Sequence, residues 1–106
     1  PVKKGRFLLD AIRDTAGQKG TGKWTTVAAL NVGVPIPTIT AAVDARLVSS
    51  LKGEREVAAK VLKLKTGKLK GVSVNDIAKA LYGAKIAAYA QGMRLIVECS
   101  KARGYN

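Results

Sequence analysis

Gly17-Gln18-Lys19-Gly20-Thr21-Gly22-Lys23-Trp24-Thr25-Thr26 brings glycines, lysines and a hydroxyl together where a helix is about to begin. Glycine lets backbone N–H groups approach an anion without a Cβ in the way. A helix starting near Trp24 adds unpaired N–H donors and the positive end of its dipole, and Lys19 and Lys23 add full charges. The stretch reads as a place to hold a phosphate. Gly17, Gly22 and Lys23 also satisfy the G-x-x-x-x-G-K part of a nucleotide-binding P-loop. The residue after the lysine should be Ser or Thr to hold Mg²⁺, and the loop should follow a strand. Here Trp24 occupies that position and the preceding segment reads as a helix, so the P-loop reading fails. A plain glycine-rich turn with its lysines in water is the alternative that the residues alone leave open.

Working outward, Phe7, Leu8, Ala11, Ile12 and Thr15 recur at helical spacing, which predicts a helix over Arg6 to Thr15 ending at Ala16-Gly17. Beyond the loop, a short helix from Trp24 to Val32 stops at Gly33-Val34-Pro35. Pro37 stands where a helix can start, and Thr38 to Leu51 reads as a firmer one. Gly53 is expected to interrupt it, with helix resuming over Glu54 to Leu62 and Arg55 and Lys60 facing outward. Lys63 to Gly71 alternates lysine and leucine about Thr66-Gly67 and reads as a loop or small hairpin. Ser73 with Asp76 three residues on resembles a capping box, and the pattern from there is helical to Arg103. That helix would be about 45 Å long. It is apolar almost all round, through Ile77, Leu81, Ile86, Leu95, Ile96 and Val97, with small residues between. Such a helix is buried in something larger. The fold expected is all-α, with a long buried C-terminal helix.

At 106 residues the chain is one domain at most. Nineteen Lys and Arg against seven Asp and Glu give +12, which calls for an anionic partner and makes a small basic nucleic-acid-binding protein the alternative reading. The run Lys60 to Lys70 lacks the aromatic residues a single-strand binder uses for stacking. With no histidine there is no imidazole catalysis, and the scattered acids with the single Cys99 suggest no metal cluster and no internal disulfide. No signal peptide is legible at Pro1-Val2-Lys3-Lys4, no apolar stretch is long enough to span a bilayer, and a cytoplasmic location is expected. A start at Pro1, running almost at once into Phe7-Leu8-Leu9, suggests a chain cut from a longer parent.

Arg46 lies seven residues after Ile39 and therefore, at about 100° per residue, within about 20° of the same helix face. An arginine on an apolar stripe either snorkels to the edge or is held for an anion. Asp44 points to the other side and is poorly placed to pair with it. Trp24, Tyr82, Tyr89 and Met93 sit in helical context and are expected to pack in a core.

Ala16 to Thr25, then Gly33-Val34-Pro35, Ala45-Arg46, Ser49-Ser50-Leu51-Lys52, Ala80-Leu81-Tyr82 and Tyr89-Ala90-Gln91-Gly92, resembles the 6-phosphogluconate dehydrogenase family in order and spacing. The resemblance covers the chain from about Phe7 to Gly104 and corresponds to part of that family's all-helical C-terminal domain. It implies an NADP-dependent enzyme that oxidatively decarboxylates 6-phosphogluconate to ribulose 5-phosphate, working as a homodimer. It also implies that Lys19, Thr21 and Arg46 bind the substrate's phosphate. No dinucleotide-binding domain is legible over residues 1–106, nor is the family's early helix with its catalytic lysine, asparagine and glutamate. The expectation is a partial substrate-binding domain that binds no cofactor itself and is catalytically silent alone. Asp44, Gly53 and Arg94 depart from the family pattern, standing where an aromatic, an acid and an apolar residue are usual.

Overall fold

Pro37 presets the first turn of a helix, and the chain around it is the centre of the molecule. The structure, a computed structural model, describes Gly5, residues 7–63, Gly67 and residues 70–105. Among these residues it is all-helical: a 3-10 turn at Leu8–Ala11, then α1 (Thr21–Asn31), α2 (Pro37–Ser50), α3 (Lys52–Leu62) and α4 (Val74–Arg103). α2 packs against both α1 and α4, and α1 also touches α4.

The α1–α2 corner builds the core. One residue beyond Val32, which caps the end of α1, Gly33 takes φ +67, the Val34 N–H donates to Ala29 O at 2.9 Å, and the Gly33 N–H donates to Leu30 O at 3.3 Å. This double bond pattern closes a helix with a left-handed residue and brings the residue after the glycine back onto the last turn. Val34 and Ala29 are thereby both buried, joined by Ile36 and by Leu95 from α4, with Val32, Ile39 and Cys99 packed around them. At the start of α2, Ile36 has no side chain that can cap. Gln91 of α4 does it instead: its Oε1 accepts from the Thr38 N–H at 3.0 Å, and its Nε2 donates to Thr38 Oγ1 at 2.9 Å. α1 and α2 meet closely, since a Cβ on Gly22 would stand 2.9 Å from a Val43 methyl.

α2 and α4 run as the sequence predicts, and Ser73 caps α4 as expected, its Oγ accepting from the Asp76 N–H at 3.1 Å. Three other expectations change. Of the helix predicted over Arg6 to Thr15, of which Arg6 lies outside the described residues, there is only the 3-10 turn at Leu8–Ala11, followed by extended backbone at Ile12. Its apolar residues Phe7, Leu8, Leu9 and Ile12 are all exposed, so no packing repays the cost of helix nucleation. α1 begins three residues before Trp24, at Thr21, with the Trp24 N–H bonded to Gly20 O. The break after α2 comes at Leu51 rather than Gly53, which lies inside α3. Ser49 and Ser50 turn their hydroxyls onto Arg46 O and Leu47 O at 2.8 and 2.6 Å, a local bonding that competes with the helix ladder.

α4 has its predicted length, and the helices of this chain leave most of it uncovered, as expected of a helix that is buried in something larger. Leu95 is its one buried residue, and Tyr82, Tyr89 and Met93, like Trp24 of α1, are about 60% exposed or more instead of in a core. The physical reason is geometric: α1 and α2 cover one stripe of a 30-residue helix and leave the others open. Most of the stretch read as loop or hairpin, Leu64 to Thr66 with Lys68 and Leu69, lies outside the described residues, as do Pro1 to Lys4. Among the described residues, no helix is long and apolar enough to cross a membrane.

Candidate phosphate groove

The concavities along α4 and α3 are almost purely apolar, one lined by Ala88, Tyr89, Gly92, Met93 and Ile96, another by Gly53, Glu54, Val57, Ala58, Val61 and Leu62. A third is chemically different. It is a groove of about 450 Å³ between the glycine-lysine stretch and α2, lined by Ala16, Gln18 and Gly22 on one side and by Ile39, Ala42, Val43 and Arg46 on the other. Ile39 and Arg46 face the same space, as their seven-residue separation predicts. Among the described residues no carboxylate pairs with the Arg46 guanidinium, while Asp14, Glu56 and Glu98 are all engaged by other cations.

Starting α1 at Thr21 sharpens the other wall. Gly20 is the residue before the helix, in left-handed conformation at φ +104, and Thr21, Gly22 and Lys23 form the first turn, where backbone N–H groups lack partners inside the helix. Thr25 Oγ1 donates to Thr21 O at 2.9 Å. Gly22 serves two ends at once: it lines the groove and lets α2 approach. Lys19 and Thr21 are exposed and do not line the groove, although Gln18 and Gly22 on either side of them do. The structure thus places Arg46 in the groove wall, while Lys19 and Thr21 are only the sequence neighbours of Gln18 and Gly22. Gln18, an amide in the groove wall, was not singled out by sequence reasoning, although it lies inside the deciding stretch. The segment before the loop is not the helix expected, but the P-loop reading gains nothing, because Trp24 remains and no strand is present among the described residues.

The wall that carries Ala16 is tied down by a polar cluster. Asp14 receives Lys52 Nζ at one carboxylate oxygen and Arg55 Nη1 at the other, the latter at 3.1 Å. Arg55 Nη2 also donates to Asp14 O at 2.6 Å and to Ser49 O at 3.0 Å. Ser49 Oγ accepts from the Ala16 N–H at 3.1 Å. The hydrogen bond from Lys52, then that from Arg55, holds the Asp14 carboxyl down at about 2, against an ordinary 3.8, and Lys52 is raised in return, chiefly by Asp14. Arg55, expected to face outward, is half-buried and turned toward Asp14 and Ser49.

Residues 2–106 match the family model for the 6-phosphogluconate dehydrogenase C-terminal domain. The chain belongs to the 6-phosphogluconate dehydrogenase family. It is 48% identical to the decarboxylating 6-phosphogluconate dehydrogenase of Synechocystis over 96% of its own length and 22% of that protein's. It is 49% identical to the human enzyme of the same description, over 95% of the chain and again 22% of the relative. A solved structure of Plasmodium falciparum 6-phosphogluconate dehydrogenase, studied with its cofactor NADP+ and its substrate 6-phosphogluconate, superposes with a TM-score of 0.79 at 37% identity, covering 95% of this chain and 23% of that one. The chain therefore spans about a fifth of the length of these relatives. The all-helical architecture is that of the family's C-terminal domain, and nothing in the match supports the nucleic-acid-binding alternative.

Proposed function

We propose that residues 1–106 supply the phosphate-binding wall of the substrate site in an NADP-dependent 6-phosphogluconate dehydrogenase that oxidatively decarboxylates 6-phosphogluconate to ribulose 5-phosphate. The observation that carries this is the groove lined jointly by Gln18, Gly22 and Arg46, whose guanidinium meets no carboxylate among the described residues, with Lys19 and Thr21 next to Gln18 and Gly22 in the sequence. A phosphate dianion asks for this donor set. Arginine offers a planar fork, lysine a mobile point charge and threonine a hydroxyl, with backbone N–H groups beside them. Each charge-assisted bond contributes about 1.5–3 kcal/mol. Fixing the phosphate fixes the far end of the sugar acid, a contribution to orientation rather than to bond-making.

Among the described residues there is no strand, hence no strand–glycine turn–helix unit to hold a dinucleotide. We therefore assign NADP binding and the proton and hydride steps to other parts of the enzyme, and expect a cytoplasmic homodimer. Residues 1–106 incubated alone with NADP and 6-phosphogluconate are expected to form no NADPH above blank, and clear turnover would overturn this division of labour. Calorimetric titration of the intact polypeptide that carries residues 1–106 with 6-phosphogluconate tests the site. Arg46→Ala should weaken binding by at least about tenfold and Lys19→Ala by a similar or smaller factor. Unchanged affinity in both variants would remove the phosphate from this groove.

A further inference from the structure

We infer that Arg55 is a positioning residue for the phosphate groove, setting the distance between its two walls through Asp14 and Ser49. The inference rests on the reading of the groove as a phosphate site, and deepens it.

Ala16 and Gln18 form one wall and Arg46 belongs to the other, and the two walls come from segments about thirty residues apart in the chain. Something must hold the irregular segment that precedes α1 against the C-terminal end of α2. Helix packing does not do so, because residues 12–20 belong to no helix. Hydrogen bonds do. Arg55 grips Asp14 by its side chain and by its carbonyl, and with the same Nη2 reaches Ser49 O. Ser49 Oγ in turn touches both walls, accepting from the Ala16 N–H at 3.1 Å and donating to Arg46 O at 2.8 Å. One guanidinium and one hydroxyl thus span the gap between the loop and the turn of α2 that bears Arg46.

The geometry is that of a bracket rather than a surface ion pair. A lone exposed pair constrains little, whereas a planar guanidinium bonded to three acceptors on two segments fixes their relative position. Arg55 Nε is buried and has no partner among the described residues, and the guanidinium is held through its two terminal nitrogens. α3 makes no extensive packing of its own with α1, α2 or α4. The side chains at its first turn, Lys52 and Arg55, are what connect it to the loop. The placement of α3 and the width of the groove are therefore coupled.

The test is a double-mutant cycle on the intact polypeptide that carries residues 1–106, with 6-phosphogluconate as titrant and thermal unfolding measured in parallel. Arg55→Ala is expected to weaken binding about tenfold with little change in unfolding midpoint. In the Arg46→Ala background it should weaken binding little further, because a displaced wall matters only while Arg46 is there to meet the phosphate. Arg55→Lys keeps the charge but cannot make the forked contacts, and should recover only part of the loss. If Arg55→Ala does not fold, Ser49→Ala, which removes the contact to Ala16, takes its place in the cycle with the same expectation. Native affinity in Arg55→Ala or Ser49→Ala, full recovery by Arg55→Lys, or losses that simply multiply with Arg46→Ala would each overturn the inference. The two readings fail differently: Arg46→Ala without effect removes the phosphate site, while Arg46→Ala weak and Arg55→Ala normal removes only the bracket.

Discussion

The two ends of α2 are held by different physics. At its N-terminal end the contacts are apolar and enclosed: Ile36 is 4% exposed, Val34 and Ala29 lie beside it, and the one polar fastening, Gln91 to Thr38, joins it to α4. At its C-terminal end the contacts are polar and open, running through Ser49, Asp14, Lys52 and Arg55, with the groove and Arg46 between the two ends. Apolar burial is strong and indifferent to angle, whereas hydrogen bonds between exposed groups contribute little net stability but demand geometry. The first end should decide whether the domain folds, and the second how the groove is shaped.

The largest effect should come from the enclosed end. Ile36→Ala removes a buried side chain from a core of very few residues, and about 2–5 kcal/mol should be lost in a denaturant titration followed by helical circular dichroism. A loss under about 1 kcal/mol would show that this corner is not where stability resides. Next is the close contact between the two helices. Gly22→Ala puts a methyl 2.9 Å from Val43, and should cost about 1–3 kcal/mol by the same measurement. The accompanying Val43→Ala should recover most of that cost, because it removes the atom in the way; no recovery would mean that Gly22 is required for its backbone and not for its size. Smaller again, Gln91→Ala leaves the Thr38 N–H without its acceptor and should cost about 1 kcal/mol, while 6-phosphogluconate affinity stays native because neither Gln91 nor Thr38 lines the groove.

What the sequence made legible follows the same division. α2 and α4 were readable because their signals are local: Pro37 at a first turn, Ser73 answering Asp76, and helical spacing sustained over many residues. The groove's Arg46 was readable for the same reason, since one helix alone places it on the face of Ile39. The segment around Phe7 to Thr15 misled because apolar spacing states what a helix would bury and not whether anything is there to bury it against. Arg55 was out of reach, because its partner Asp14 lies 41 residues away and nothing in either neighbourhood marks the pair. The aromatic residues of α4 illustrate the converse. Their composition states that they belong in a core, and within these helices only Leu95 reaches one.

The smallest effect expected, and the one that isolates the polar end, is an acid titration. Asp14 is held at about 2, below its ordinary 3.8, first by the hydrogen bond from Lys52 and then by that from Arg55. A carboxyl depressed in the folded state contributes stability above its unfolded value, and that contribution is lost as pH falls toward the folded one. Its window therefore lies between about pH 4 and pH 2, and nothing from this group should change near neutrality. Carboxyl carbon shifts followed by NMR should show Asp14 titrating well below an unstructured aspartate. Lys52→Ala should move that midpoint upward more than Arg55→Ala does, in the order of the two hydrogen bonds. The same substitutions should rank oppositely in phosphate binding, because Lys52 touches only the carboxylate of Asp14 and its helix neighbour Glu56, while Arg55 also holds Asp14 O and Ser49 O. If charge and geometry ranked the two residues alike, the polar end would be an electrostatic patch; opposite rankings make it the frame of the groove.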